Sequence, residues 1–399
     1  MRSILKCLLC MSVLLLVSAC ESFHLKPPPL TGEPSDAVRA EVAEDGVSVI
    51  ALINNVDLAL LLERKARREG FRLLRRERLP GLGVVMLTFA VPPGLDVTQA
   101  AAELERLEPH ATADRDHQYG LSTDAGTPAA VMAQPLEFAH AMIQWPAQGC
   151  ASLRRLGMID SGVDLTAPSL ADQRIVTSSF VGEVAAHGRS HGTAVAQTLI
   201  GDGRLREGTL HAAVVFDEAR PQAGPSASTL IRALDWLVQS RVELVNVSLA
   251  GPYNRALDRA VQRATDVGLL LVAAVGNEGP DSPPRYPAAF ADVIAVTAVD
   301  AALRIYDGAV MGAHVDFAAP GVDIYVQADG RGRYVTGTSF ASPFVVSIIA
   351  SDPSLKDLSS ASRVRQSLAD KARDLGAPGH DETFGFGLPA LSAQCSATR

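Results

Sequence analysis

The sequence has no overall excess of basic residues. Lys and Arg total 36 against 44 Asp and Glu, which gives a formal net charge of −8 over 399 residues. Nucleic-acid-binding domains normally present a basic face, so the composition gives no support to that class of function. With 47% hydrophobic and 20% charged residues, the composition is that of a globular protein able to bury a large core.

The chain also lacks a long apolar segment beyond its first twenty residues. Its one such run, residues 8–17, follows Arg2 and Lys6 and is too short to span a bilayer as a mature helix. Residues 1–19 therefore predict a secretion signal rather than part of the fold. The run ends in VSAC, which resembles the lipobox of bacterial lipoproteins, in which the Cys (here Cys20) becomes a lipid-carrying N-terminus. The alternative is a conventional signal cut after Ala19, with Cys20 incidental.

Cysteine is scarce, with only five residues in the chain. Cys7 and Cys10 leave with the signal and Cys20 would carry the lipid, so Cys150 and Cys395 remain. An even number in an exported protein predicts a disulfide, which would tie together the two ends of the C-terminal region. Closing so long a loop adds about 4–5 kcal/mol in the chain-entropy model. The alternative is two independent buried thiols.

Changes in composition divide the rest of the chain into segments. Residues 20–45 are Pro-rich and predict an extended tether, and residues 121–140 predict a linker. Between them, residues 46–120 have the order strand, helix, strand, strand, helix, strand, which predicts a small α+β, ferredoxin-like domain. Asp57 is the expected cap of its first helix. Its arginines are interleaved with glutamates, which favours a solvated charged face over an anion-binding site.

Residues 141–399 have a different pattern, in which short apolar strands alternate with helical stretches. Continuous apolar strands between helices predict an α/β domain with a mostly parallel sheet covered on both faces. In such sheets the active site gathers at the carboxyl ends of the strands. The predicted strands are 156–159, 212–216, 244–247, 269–274 and 293–299, and the predicted helices are 193–200, 226–240, 254–267 and 342–350.

Three polar residues in this region stand where that rule would place an active site. Asp160 follows a strand, whereas His191 and Ser339 come just before or at the start of a helix. Each alone has an ordinary explanation as a turn, loop or capping residue. Their order of Asp, His and Ser, however, is the one found in subtilisin. The segments MIDSGVD at 158–164, HGT at 191–193 and GTSFASP at 337–343 resemble the three signature motifs of the subtilisin family.

This resemblance extends over about residues 147–390 and implies a subtilisin-like three-layer fold and a serine endopeptidase. Ser339 would be the nucleophile and His191 the base that takes its proton. Asp160 would hold the imidazole in the right tautomer and stabilise its cation. The segment VGNEG at 275–279 resembles the family's oxyanion loop, so Asn277 would donate its side-chain amide to the oxyanion together with the backbone N–H of Ser339.

The resemblance also indicates where an extended peptide would bind. The segment NVSLAGP at 246–252 is similar to the family's substrate strand, in which backbone pairing gives affinity with little sequence preference. Ala250 stands where the family usually has Gly, which would narrow the pocket entrance. The small opposite wall predicts an uncharged, apolar side chain before the cleaved bond. The candidate binding residues are Ser248, Leu249, Ala250, Gly251, Ala274 and Gly276.

No metal or cofactor is predicted. His187 and His191 are four residues apart, but the segment lacks the Glu of a zinc HExxH motif. Calcium occurs in many subtilisin relatives, and structural calcium is therefore possible, yet no acidic loop here has a readable ligand pattern.

The 46–120 domain resembles the βαββαβ propeptides of subtilisin relatives, which assist folding and then inhibit until they are cut. The expected partners are therefore polypeptide substrates, the protein's own N-terminal domain and, through Cys20, a membrane. A cut after Tyr119 would separate the protease from its tether. Two alternatives remain: a catalytically silent subtilisin-fold binding protein occluded by this domain, and an esterase with the same triad.

Overall fold

The computed structural model describes most of the chain from residue 47 onwards. It covers residues 47–121, 138–181, 190–201, 204–206, 208–216, 224–328, 331–355, 357–391 and 395. The predicted signal, Cys20 and the Pro-rich tether lie outside the described residues, as does most of the predicted linker. Residues 47–121 are referred to below as the N-terminal domain, and the described residues from 138 onwards as the large domain.

The N-terminal domain is a four-stranded antiparallel sheet with two helices, which confirms the predicted ferredoxin-like order. The strand order is β2-β3-β1-β4. Asn55 caps the first helix by accepting from the Asp57 N–H at 2.7 Å, so the predicted cap Asp57 was wrong by two residues. The elements are β1 Ser48–Ile53, α1 Val56–Arg68, β2 Arg72–Leu79, β3 Val84–Ala90, α2 Val97–Leu107, β4 Thr112–Arg115 and β5 Gly120–Leu121.

The large domain is built on a seven-stranded sheet of order β15-β14-β13-β11-β7-β10-β8, in which every neighbouring pair is parallel. Its described strands are β6 Cys150–Ala151, β7 Leu156–Ser161, β8 Arg174–Ser179, β9 Leu205–Arg206, β10 Thr209–Phe216, β11 Leu244–Val247, β12 Leu249–Ala250, β13 Leu270–Ala274, β14 Val293–Val299, β15 Phe317–Pro320, β16 Ile324–Ala328 and β17 Arg331–Val335. Its described α-helices are α3 Phe138–Met142, α4 Ser190–Ile200, α5 Ala227–Gln239, α6 Arg255–Asp266, α7 Thr338–Ser351 and α8 Ala361–Ala369.

Alternate side chains along the strands of the large domain pack into two separate hydrophobic cores. In β7, Met158 joins a core that contains residues of α4 and α7, and Ile159 joins a second core that contains residues of α5 and α6. Successive side chains of a strand point to opposite faces, so a strand with apolar residues at every position is buried on both sides. The predicted three-layer α/β fold is therefore confirmed.

The N-terminal domain packs on the second of these cores. Ile50 and Leu52 of β1 and Met86 of β3 share it with α5 and α6, while Val49 and Phe89 face the domain's own helices. One face of the small sheet is thus buried against the large domain and the other against α1 and α2.

Cys150 in β6 and Cys395 form a disulfide with a Cα–Cα distance of 5.6 Å across 245 residues. This is the pair expected from the cysteine count. Among the residues described, no helix has the length and apolar character needed to cross a membrane.

Candidate active site

The first two candidate residues meet at the carboxyl end of β7. Asp160 is the fifth residue of that strand and is fully buried, and His191 is the second residue of α4 and is 6% exposed. The His191 Nδ1 lies 2.6 Å from Asp160 Oδ1. A buried carboxylate at Nδ1 keeps the proton on that nitrogen, which leaves Nε2 to act as the base.

Backbone contacts fix the start of α4 against the end of β7. Ser161 Oγ accepts a hydrogen bond from the Gly192 N–H at 2.8 Å, and Thr193 Oγ1 accepts one from the Asp164 N–H at 2.8 Å. A Cβ at position 192 would clash with the backbone carbonyls of Ser161 and Gly162. Only glycine therefore permits this approach, which brings the neighbouring His191 onto Asp160.

Ser339 lies in the first turn of α7 and is fully buried, and its Oγ donates to the Ser248 carbonyl at 3.3 Å. Four residues later, Pro343 has no N–H to donate to the Ser339 carbonyl as the helix would require. Ser248 Oγ donates to that carbonyl instead, at 3.2 Å, and itself accepts from Asn246 Nδ2 at 2.8 Å. The proline in the GTSFASP motif thus frees a carbonyl that locks the nucleophile's helix onto the substrate strand.

Asn277 follows the carboxyl end of β13, and Thr338 determines the orientation of its side-chain amide. Asn277 Oδ1 accepts from the Thr338 N–H at 3.1 Å and from its hydroxyl at 2.8 Å. The amide nitrogen must therefore point the other way. This Nδ2 is buried and has no hydrogen-bond partner within the described ranges. Thr338, which holds the Asn277 side chain, directly precedes Ser339. An unpartnered donor in this position suits a negative charge that appears only during a reaction.

The predicted substrate strand is occupied by the protein's own chain. In β12, Leu249 pairs antiparallel with Leu121 and Ala250 with Gly120. The strand that fills this place, β5, is the end of the N-terminal domain. It runs from Gly120 towards Ser248, whose carbonyl contacts the Ser339 hydroxyl.

Tyr119 anchors this strand at its upstream end. Its N–H donates to the Pro225 carbonyl at 2.9 Å and its hydroxyl donates to the Pro252 carbonyl at 3.0 Å. The ring lies so close over Gly251 that a Cβ there would clash with it. Tyr119 is 3% exposed, so it is held in a pocket of the large domain and does not reach Ser339.

Two carboxylates of the N-terminal domain bind the N-termini of α5 and α6. Asp116 accepts from the N–H and the hydroxyl of Ser228, both at 2.8 Å, and Asp114 accepts from the Arg255 N–H at 2.8 Å. The first N–H groups of a helix lack intrahelical acceptors and carry a partial positive charge, so carboxylates are favoured there. Burial nevertheless raises the pKa of Asp116, against the hydrogen bonds from Ser228 that lower it.

Contact also runs in the opposite direction, from the large domain to the small one. Asp235 of α5 accepts from the Leu82 N–H at 3.0 Å, and burial raises the pKa of this carboxyl. Asn254 caps α6 with its Oδ1 and donates from Nδ2 to the Arg115 carbonyl at 2.7 Å and to His117 Nδ1 at 2.9 Å. Burial lowers the pKa of His117, with Asp114 opposing.

The pocket wall predicted to be apolar has charged neighbours. A Cβ at Gly276 would lie 2.6 Å from Glu278 Oε2 and 3.1 Å from Arg285 Cγ. Glu278 Oε1 and the Arg285 guanidinium form an ion pair at 2.9 Å. Arg285 directly precedes Tyr286, which pairs with Gly251 at the end of the substrate strand.

The structure thus brings Asp160 and His191 into contact and places Ser339, Asn277 and Ser248 on neighbouring elements. Sequence reasoning missed Thr338, Asp116 and Arg285. Thr338 was readable as the residue before Ser339. The contacts of Asp116 with a distant segment, and of Arg285 across an irregular loop, gave no local signal. Within the part of the chain that is described, no group of three or more His, Cys, Asp or Glu side chains is arranged to hold a metal ion.

Comparison with known proteins places this geometry in a family. The model of the subtilase family, peptidase family S8, matches residues 155–387. Subtilisin from Bacillus pumilus is 32% identical over 284 residues, which are 66% of this chain and 100% of that protein. The minor extracellular protease Epr of Bacillus subtilis is 30% identical over 257 residues, which are 61% of this chain and 38% of Epr.

A solved structure supports the fold over a longer stretch. Fervidolysin from Fervidobacterium pennivorans, a keratinolytic enzyme related to subtilisin, superposes with a TM-score of 0.69 at 20% identity, covering 86% of this chain and 60% of its own. The match thus spans all of the pumilus subtilisin but only part of Epr and of fervidolysin. The chain belongs to the subtilase family and is a subtilisin-like serine endopeptidase.

Proposed function

From this membership of the subtilase family, we propose that Asp160, His191 and Ser339 are the catalytic triad of an exported endopeptidase that is made in a latent form. The observation that carries the proposal is the 2.6 Å contact between buried His191 and buried Asp160, at the sheet edge where Ser339 also lies. The N-terminal domain keeps the cleft filled until its connection to the large domain is cut.

The chemistry follows from the role of each side chain. Ser339 Oγ attacks the peptide carbonyl carbon while His191 Nε2 takes its proton, and the carbonyl oxygen becomes an oxyanion. Asn277 Nδ2 and the Ser339 N–H donate to that oxygen. The intermediate collapses when His191 gives the proton to the leaving amine, which leaves an acyl-enzyme. Water, deprotonated by His191, then hydrolyses the ester and restores Ser339.

The occupied cleft supports the proposal of latency and of self-processing. Backbone pairing between β5 and β12 is the pairing that an extended substrate would make. Since β5 points towards Ser248, which contacts Ser339, and Leu121 pairs with Leu249, we expect the cleaved bond to lie downstream of Leu121. This moves the expected processing site downstream of Tyr119, which serves as an upstream anchor of the strand.

Export through a lipid on Cys20 rests on the first twenty residues alone. Residues 1–19 have the charge and apolar run of a secretion signal, and VSAC resembles a lipobox. A relative whose name describes it as extracellular is consistent with export. Mass spectrometry of the purified N-terminus tests this part, because a lipid on Cys20 adds a defined mass that Cys20→Ser loses.

A fluorophosphonate probe tests the triad, because only a serine activated by a neighbouring base reacts. We expect the full chain to label at Ser339 and to release an N-terminal fragment whose last residue lies downstream of Leu121. Ser339→Ala is expected to lose labelling, peptide hydrolysis and self-processing together, with a turnover loss on the order of 10⁶-fold.

Ser347→Ala is the matched control, because Ser347 lies in the same buried helix and its hydroxyl bonds only to the Pro343 and Leu199 carbonyls. It should label and cleave like the wild type. Absence of labelling in a folded wild-type chain, even after the N-terminal domain is removed by an added protease, would favour the silent binding protein. Hydrolysis of simple esters without hydrolysis of peptides would favour the esterase.

A further inference from the structure

The predicted pocket for the side chain before the cleaved bond is bordered by the ion pair of Arg285 and Glu278, where the sequence predicts a small apolar wall. This pocket lies between the substrate strand, at Ala250 and Gly251, and the segment that leads from Ala274 to Asn277. Arg285 connects the two sides. Its backbone neighbour Tyr286 exchanges two 2.9 Å hydrogen bonds with Gly251, and its side chain passes over Gly276.

The guanidinium of Arg285 is only partly used by the protein. Its NH2 group contacts Glu278 Oε1 at 2.9 Å, and Glu278 Oε2 accepts from the Asn277 N–H at 2.9 Å. Arg285 Nε, however, is buried and has no hydrogen-bond partner among the residues described. The Arg285 side chain is nevertheless 26% exposed, so the outer part of its guanidinium can donate to a ligand.

The pair also changes what the pocket would exclude. A large apolar side chain would cover Arg285 without giving it an acceptor, and a basic one would face its positive charge. A carboxylate would accept a charge-assisted hydrogen bond from the exposed part of the guanidinium, and such bonds are the stronger kind. The position of Glu278, whose side chain is 41% exposed, allows it to swing aside into solvent.

We propose that Arg285 is a specificity-determining residue and that the enzyme prefers an acidic side chain immediately before the cleaved bond. This revises the uncharged, apolar preference expected from Ala274 and Gly276, which took account of the wall but not of the residue that crosses it. The inference rests on the proposed function, since it requires that Ser339 cleaves peptides bound along β12.

The test is a set of four peptide anilides that differ only in the residue before the scissile bond: Glu, Gln, Leu or Lys. The ratios of kcat/KM are measured within one preparation of the full chain after its activity has become constant, so that the active fraction cancels. We expect the wild type to favour Glu over Gln and Gln over both Leu and Lys. Glu and Gln have the same shape, so their ratio isolates the charge.

Two substitutions should move this ratio in opposite directions. Arg285→Gln removes the charge and should lower the Glu to Gln ratio about 10-fold, the effect of one charge-assisted hydrogen bond. Glu278→Gln can still accept from the Asn277 N–H but releases Arg285 from its partner, so the ratio should rise several-fold. Arg304→Gln breaks an exposed ion pair with Asp300 in another loop and should leave the ratio unchanged.

The possible outcomes distinguish a failure of the role inferred for Arg285 from a failure of the proposed peptidase function. A wild type that prefers Leu or Lys, or a Glu to Gln ratio that Arg285→Gln leaves unaltered, overturns the role of Arg285 while the peptidase stands. Should Arg285→Gln fail to fold, the rise expected for Glu278→Gln decides the question by itself. No turnover of any anilide, with no fluorophosphonate labelling of Ser339, overturns both.

Discussion

Two pairs of helices cover the two faces of the central sheet, and the two pairs differ in how much of each helix is exposed to solvent. In α4 and α7, which carry His191 and Ser339, every residue from His191 to Ile200 and from Thr338 to Ser351 is buried. In α5 and α6 only part of each helix is buried. The remaining residues are mostly charged in α6, whereas in α5 they are Arg232, Trp236, Val238 and Gln239.

This difference separates chemistry from control. Side chains on helices that are buried all round cannot shift without disturbing the core, which suits groups that must be held to within a fraction of an ångström. The amphipathic helices instead offer their N-termini to Asp114 and Asp116 of the N-terminal domain. Substitutions on the first face should therefore change turnover, and those on the second should change latency.

Among the predictions that test this division, the largest effect is expected at the proposed oxyanion donor. Asn277→Ala removes Nδ2 and should lower kcat about 100- to 1000-fold with little change in KM, the range found for this donor in subtilisin itself. Asn277→Asp should lose as much, because it still accepts from Thr338 but has no N–H to offer. Steady-state kinetics on a peptide anilide measure both. A fully active Asn277→Asp would contradict the role of the amide.

A smaller effect, on latency and not on turnover, is expected at the domain interface. Asp116→Ala removes two hydrogen bonds at the start of α5, worth about 1–2 kcal/mol by analogy with a helix cap. Fluorophosphonate should then label Ser339 in the unprocessed full chain about 10-fold faster, while kcat after processing stays the same. Glu103→Ala, which breaks an exposed ion pair with Arg106 within the N-terminal domain, is the control. Equal labelling rates in the two variants would count against the division between the faces.

The smallest expected effect concerns the pH dependence of the labelling rate. Asn254 donates to His117 Nδ1, so the docked state suits the neutral imidazole, and burial lowers the pKa of His117. A lowered docked pKa stabilises docking above the free value of about 6.5, and this contribution is lost as pH falls below it. Between pH 8 and 5.5 the labelling rate of the unprocessed wild type should therefore rise several-fold relative to His117→Gln.

The comparison with His117→Gln isolates one group among several that titrate. The glutamine can still accept from Asn254 but carries no proton in this range. The raised pKa of Asp116 acts in the opposite direction, but this carboxyl is common to the two chains. His110→Gln alters an exposed histidine of the same domain and should behave as the wild type. An identical pH profile for wild type and His117→Gln would remove His117 from the mechanism.

The sequence was most informative where local pattern and tertiary structure agree. The five predicted strands of the large sheet are all present, because central parallel strands are apolar throughout. The strands β8 and β15 were missed: they form the two edges of the sheet, and the pattern of β8 is exposed and polar. The helix predicted from Ser342 begins four residues earlier, at Thr338, and contains Pro343.

Prediction of the site was limited in the same way. Asp160, His191, Ser339 and Asn277 stand in motifs that can be read locally, and the Asp160–His191 contact is present in the structure. By contrast, Tyr119 acquires its importance from Gly251, which lies far from it in sequence, and Arg285 from Gly276 across an irregular loop. Such pairings depend on the tertiary fold, and no periodicity or spacing encodes them.

The stretch from Asp116 to Leu121 has one further consequence. Asp116 and the His117 carbonyl accept hydrogen bonds from the large domain, and the Tyr119 N–H donates one to it, so the stretch is held along that domain. Under the proposed latency, an inhibitor attached in this way to the intact chain faces its target at an effective concentration on the order of millimolar, whatever the dilution. Once the connection is cut, the two parts obey mass action. Activation then depends on the volume into which the enzyme is delivered, so a crowded compartment favours rebinding and dilution switches the protease on.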